Sequence, residues 1–106
     1  MIKKILFTLF LCAATVGFSQ EKEIEDLSSA PNPFKLNTTI TFKIDTKTTI
    51  TLLVKNVLGK IVFEKDFETK IGKNTIPFYK NDLAAGMYIY SIQNKKKIVS
   101  KRLVIQ

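Results

Sequence analysis

Carboxylates are the side chains of this sequence best placed for chemistry. Glu64, Asp66 and Glu68 alternate along one segment, so on a β-strand all three share a face. Such a row could in principle serve acid–base work or bind calcium. Basic neighbours surround it, however, and the ordinary fate of an alternating charged row is a solvated strand face. Asp45 and Asp82 sit in turn-forming stretches, where short acidic side chains commonly cap backbone amides. There is no histidine, and the single cysteine, Cys12, lies in an apolar N-terminal run. The usual general base, thiol nucleophile and soft metal ligands are therefore missing. Glycine-rich phosphate loops and nucleophile elbows are missing too. The expectation is a non-enzymatic protein with no catalytic residue, no metal and no cofactor.

Charge offers a second kind of chemistry. The chain has 17 basic and 9 acidic residues, a net charge of +8. Lys95, Lys96, Lys97, Lys101 and Arg102 concentrate part of that charge near the C-terminus. An exported basic protein is drawn to acidic glycans, lipopolysaccharide or phospholipid headgroups. Nucleic acid is a poor partner for a chain that leaves the cytoplasm. Scattered lysines also keep β-rich proteins soluble and blunt their sheet edges.

Export is read from the first nineteen residues. Lys3 and Lys4 form a positive start, Ile5 to Val16 an apolar stretch, and Gly17, Phe18 and Ser19 a small-x-small cleavage site, with Gln20 as the new N-terminus. The apolar run falls short of the roughly 20 residues of a comfortable bilayer span. Leu9, Phe10 and Leu11 are too bulky to precede an acylated cysteine, so Cys12 reads as signal-peptide filler and leaves with the signal. Residues 20–26, charged and without periodicity, read as a linker.

From Leu27 the pattern changes to short alternating runs. A weak opening strand spans residues 27–34. Thr38 to Ile44 and Thr48 to Lys55 follow, with a polar turn between them that suggests a hairpin. Asn56 to Lys60, containing Gly59, turns the chain into a strand over residues 61–67. Thr75 to Tyr79 contains Pro77, which argues for an edge position. Met87 to Gln93 and Ile98 to Ile105 complete about seven strands, the rhythm of an Ig-like antiparallel β-sandwich over residues 27–106.

Three ordered motifs carry a more specific message. The first is Ala30, Pro31, Asn32, Pro33, Phe34, in which two prolines stiffen the chain and deliver Phe34 as a core anchor. The second is Asn56 to Val62, where Gly59 permits a tight return. The third runs from Asp82 through Leu83, Gly86, Tyr88 and Tyr90, and a closing strand with Lys101, Leu103, Val104 and Ile105 reaches the chain end. On this reading Leu83 plugs one end of the sandwich and Tyr88 buries its ring while its hydroxyl reaches backbone, akin to a tyrosine corner.

The series resembles the type A C-terminal sorting domain of substrates of the type IX (Por) secretion system of Bacteroidetes. That resemblance implies passage through the Sec translocon to the periplasm, recognition of the folded domain by the type IX outer-membrane machinery, and secretion or surface display. It further implies removal of the domain by the system's sortase, with cargo released or joined to anionic lipopolysaccharide. Carried over by position, the recognition residues are Leu83, Gly86, Tyr88, Lys101, Leu103, Val104 and Ile105. The terminal Gln106 departs from the basic residue that many members carry there. Only about seven residues separate Gln20 from the domain, too few to fold as cargo, so the expectation is a stand-alone sorting domain. The competing expectation is a secreted Ig-like module that binds acidic glycan, lipopolysaccharide or protein through Lys95, Lys96, Lys97, Lys101 and Arg102.

Overall fold

The computed structural model describes residues 24–106, and the expected signal peptide, with its cleavage site at Ser19 and Gln20, lies outside them. Seven strands follow in order: β1 (Ile24–Ala30), β2 (Asn37–Ile44), β3 (Thr49–Asn56), β4 (Ile61–Glu68), β5 (Gly72–Tyr79), β6 (Gly86–Gln93) and β7 (Ile98–Ile105). They form a three-stranded sheet, β1-β2-β5, and a four-stranded sheet, β4-β3-β6-β7, all pairs antiparallel. The all-β sandwich expected from the alternation is thus observed. In a constant-type Ig domain the fourth strand lies beside the fifth. Here it pairs with the third instead.

The alternation decides which residues meet between the sheets. Ile40, Phe42 and Ile44 of β2 face Ile50, Leu52 and Val54 of β3, joined by Tyr88, Tyr90 and Ile92 of β6 and by Leu103 and Ile105 of β7. Among the described residues sixteen hydrophobic side chains are buried, drawn from every strand but β4, and they form one core.

Three expectations need correction. The hairpin expected between the second and third strands does not form, because β2 and β3 belong to different sheets. Both strands bury an entire apolar face, and opposing those faces across the core satisfies them better than lying side by side. The crossover is held by Thr69, whose Oγ1 donates toward the carbonyls of Thr46 and Thr48 and accepts from the Thr48 amide. The supposed linker 20–26 overlaps β1, which begins at Ile24 opposite Ile44. Ile24 and Leu27 are both buried although three residues apart, a spacing strict alternation forbids. A register shift between Glu25 and Ser28, with Asp26 at φ 53°, supplies the extra residue that turns both inward. The opening strand also ends at Ala30, so Pro31 to Phe34 lie beyond it. Elsewhere the pattern holds, and Pro77 does lie on an edge strand, β5.

Candidate functional site

The strand register brings the three motifs to one end of the sandwich. Gly86 pairs with Ile105, Tyr88 with Leu103, and Asn56 with Tyr88. The β1–β2, β3–β4 and β5–β6 connections and the C-terminus therefore share that end. Ile24, the β2–β3 and β4–β5 connections and the β6–β7 turn occupy the other.

The first motif is a clamp on the outer edge of β7. The Asn32 side-chain amide stands in for a strand peptide: its Oδ1 accepts from the Val104 amide at 3.0 Å and its Nδ2 donates to the Arg102 carbonyl at 2.9 Å. Two residues on, the Phe34 amide donates to the Val104 carbonyl at 3.0 Å, and the Gln106 amide donates to the Phe34 carbonyl at 2.8 Å. Asn32 and Phe34 thus form one turn of parallel pairing, with Phe34 opposite Ile105. The Thr38 hydroxyl fastens the Pro31 carbonyl at 2.6 Å. Both Pro31 and Pro33 follow cis peptide bonds. Phe34 is buried as expected and packs edge-on against Phe78, with ring centroids 6.2 Å apart. Sequence reasoning missed the part played by Asn32. An Asn between two prolines was its one visible signal, and nothing there names the strand it would pair with.

In the third motif, Tyr88 is buried and its hydroxyl donates to the Ala84 carbonyl at 2.7 Å, the expected tyrosine corner. Leu83 is half-buried against the core. Gly86 sits at φ +150°, a conformation L side chains rarely adopt, although a Cβ there would meet no atom. Backbone conformation rather than space asks for glycine. In the second motif Gly59 adopts φ +84°. Asn56 closes that turn, its Oδ1 accepting from the amides of Leu58 and Lys60 at 3.0 Å each.

Burial divides the residues carried over as recognition elements. Leu103, Ile105 and Tyr88 are core residues. Gly86 and Lys101 are exposed, while Leu83 and Val104 are half-buried. The basic residues are not brought together either. Lys101 pairs with core-facing Tyr90 and Arg102 with outward-facing Ile89, so the two point to opposite faces of β7. Lys95, Lys96 and Lys97 lie in the β6–β7 turn, a strand length of roughly 24 Å from Gly86.

The carboxylates behave as a solvated row. Glu64, Asp66 and Glu68 are exposed on the outer face of β4, and Asp66 accepts from the Thr51 hydroxyl at 2.7 Å. Among the described residues no cluster of acidic, histidine or cysteine side chains could hold a metal, and no helix is long and apolar enough to cross a membrane. Burial pushes the Tyr90 phenol above its usual pKa, with Ser29 beside it a smaller opposing influence. The buried Ser29 hydroxyl falls short of a hydrogen bond by strict geometry, so burial decides the direction.

Comparison with known proteins places the domain. The family described as "Secretion system C-terminal sorting domain" matches residues 30–106. No curated protein matches the chain. Among solved structures, a β-glucosidase from Listeria innocua in complex with glucose is similar at 13% identity and a TM-score of 0.43, covering 84% of this chain and 17% of that one. A mutant of that enzyme in complex with laminaribiose gives 13% identity and 0.44, with 85% and 17% covered. The chain thus spans about a sixth of those enzymes' length, and likeness at this level bears on neither substrate nor activity. With the family matched from the start of the proline clamp to the last residue, the chain belongs to the type IX secretion system C-terminal sorting domains.

Proposed function

We propose that the folded sandwich is an export address, read by the type IX outer-membrane machinery at the end where the three motifs converge. The observation that carries this is the family match over residues 30–106, nearly the whole described domain. The convergence of motifs at one end supports it. Leu83, Gly86 and Val104 are accessible there and form the contact surface, which Lys101 flanks from mid-strand on the other face of β7. Tyr88, Leu103 and Ile105 act from beneath, holding the β6–β7 edge in place.

Ile24, the first described residue, pairs with Ile44 at the end opposite the motifs. Residues 1–19 direct the first step, through the Sec translocon, and residues 24–106 direct the second. A sortase acting after passage would cut in the chain before Ile24 rather than in the hydrogen-bonded sandwich.

The test is a fluorescent reporter placed between residues 1–23 and 24–106, expressed in a type IX-competent bacterium and in its translocon-deficient derivative. The expected result is reporter on the surface or in the medium of the first and in the periplasm of the second. A reporter that stays periplasmic in the competent host overturns the reading. Intact mass of the exported product shows whether the domain is removed.

A further inference from the structure

The end of the sandwich that gathers the motifs also gathers exposed apolar side chains, on the side away from β7. Leu58 is 88% exposed and Val57 73%, side by side at the tip of the β3–β4 hairpin. Leu36 and Tyr79 are exposed where β2 and β5 reach the same end, and the Lys80 amide donates to the Leu36 carbonyl, tying those two strands' ends together. The two groups lie toward one corner, because β4 and β5 meet across the sandwich through the edge-on rings of Phe63 and Phe78, 5.2 Å apart. Two lysines flank each group: Lys55 and Lys60 beside Val57 and Leu58, Lys35 and Lys80 beside Leu36 and Tyr79. Asp82 is the one acidic residue in the connections at this end.

Apolar tips with lysines just behind them suit an interface between hydrocarbon and anionic headgroups. The bare side chains enter the acyl boundary while the lysines remain at headgroup level. A tyrosine ring suits the same depth. The turn itself satisfies a further requirement of that environment. Backbone amides entering an apolar phase must already be bonded. Those of Leu58, Gly59 and Lys60 are, all to Asn56, through its side chain or its carbonyl.

We infer that this corner docks on the surface of an anionic phospholipid bilayer, with Val57 and Leu58 inserting and Lys35, Lys55, Lys60 and Lys80 meeting the headgroups. The surface shares that end of the sandwich but uses none of the Leu83, Gly86 and β7 residues named above as the contact with the secretion machinery, so each assignment is tested on its own residues. Several separate loop tips suit a deformable lipid surface better than a single shaped protein cleft.

Residues 24–106, with folding verified by near-ultraviolet circular dichroism, are to be mixed with vesicles of phosphatidylcholine alone or with an equal share of phosphatidylglycerol, and the bound fraction read by co-sedimentation. Binding is expected to the anionic vesicles and to fall steeply from about 0.05 M to about 0.5 M salt. The double variant Val57→Asp, Leu58→Asp should lower affinity at least about tenfold. Lys55→Gln and Lys60→Gln should each lower it about fivefold. Unchanged near-ultraviolet circular dichroism confirms that each variant is folded. Replacing Lys95, Lys96 and Lys97 by Gln, at the far end, should cost less than the tip variant. Absence of binding to anionic vesicles overturns the proposal, as does binding that the tip variant retains or the far-end variant abolishes. If vesicles are ignored while the tip variant blocks export in cells, the corner is a protein-docking knob and the lipid assignment is wrong.

Discussion

The four-stranded sheet has two outer edges, β4 and β7, and they are closed to other strands by different means. On β4 the defence is made of charge within the strand. Lys65 pairs with core-facing Leu52, yet its ammonium reaches out over the Phe67 ring, 5.4 Å from the centroid, while Glu64, Asp66 and Glu68 crowd the other face. An inward-pointing lysine on an edge strand makes pairing with another chain costly. On β7 the defence is a segment from 70 residues earlier in sequence, with Asn32 and Phe34 occupying the hydrogen bonds a foreign strand would use. Charge protects an edge without linking it to anything. The clamp also ties the C-terminal strand, where sorting residues are expected, to the opposite sheet through Phe34 and Phe78. The two edges should therefore fail differently.

The largest effect is expected from the buried end of the clamp. Phe34→Ala removes a fully buried ring and should cost about 3–5 kcal/mol of unfolding free energy in urea. Phe67→Ala, on the half-buried side of β4, should cost distinctly less. Equal losses would mean that the clamp is no more integral to the core than the charged edge. Asn32→Ala should cost about 1–2 kcal/mol, since water can replace both exposed hydrogen bonds. Its clearer signature is self-association through the uncovered half of β7, read by sedimentation velocity. Asn32→Asp keeps the acceptor for the Val104 amide but sets a carboxylate oxygen against the Arg102 carbonyl, and should cost at least as much as Asn32→Ala.

The difference between the edges also explains what could be read from sequence. Every strand but the first was visible in its alternation, because period 2 reports directly which face is buried. Ile24 was hidden because a bulge breaks that period inside β1, leaving a charged stretch that looks like a linker. The false hairpin arose because alternation tells which residues face inward and not which sheet a strand joins. At the candidate site, the tyrosine corner and the glycine turns were legible since each is a local device, closed within a few residues. The Asn32 clamp was not, because its partners lie 70 and 72 residues away. The apolar corner was missed for a related reason: Leu36, Leu58 and Tyr79 are unremarkable singly, and only the register brings them to one end.

A smaller effect should follow from weakening the charged edge. Lys65→Val removes one cation–π contact, worth about 0.5–1 kcal/mol, and adds a β-favouring side chain, so net stability should move by less than about 1 kcal/mol. Self-association should nevertheless rise, because an apolar residue would continue the inner row of Phe63 and Phe67. If Lys65→Val leaves the domain monomeric at concentrations where Asn32→Ala associates, the lysine is not what guards β4.

The smallest effect separates opening an edge from loosening the core. Tyr90 lies on β6, between the two guarded edges, and its buried phenol is held neutral above the usual tyrosine pKa of about 10. In the unfolded chain the phenol ionises at that usual value. The stability it contributes is therefore complete below about pH 10 and is lost as pH rises from there through the folded-state value. Urea unfolding from about pH 8 to about pH 11 should show this decline, and Tyr90→Phe should flatten it. Only the Asn32 clamp carries no titrating group, and lysine ammonium groups in general also lose charge over this range, so association is to be compared between the wild type and Tyr90→Phe at the same pH. Association that appears in the wild type and not in Tyr90→Phe would show that the β7 edge opens with the core, and that the clamp guards the sheet only while Tyr90 stays neutral.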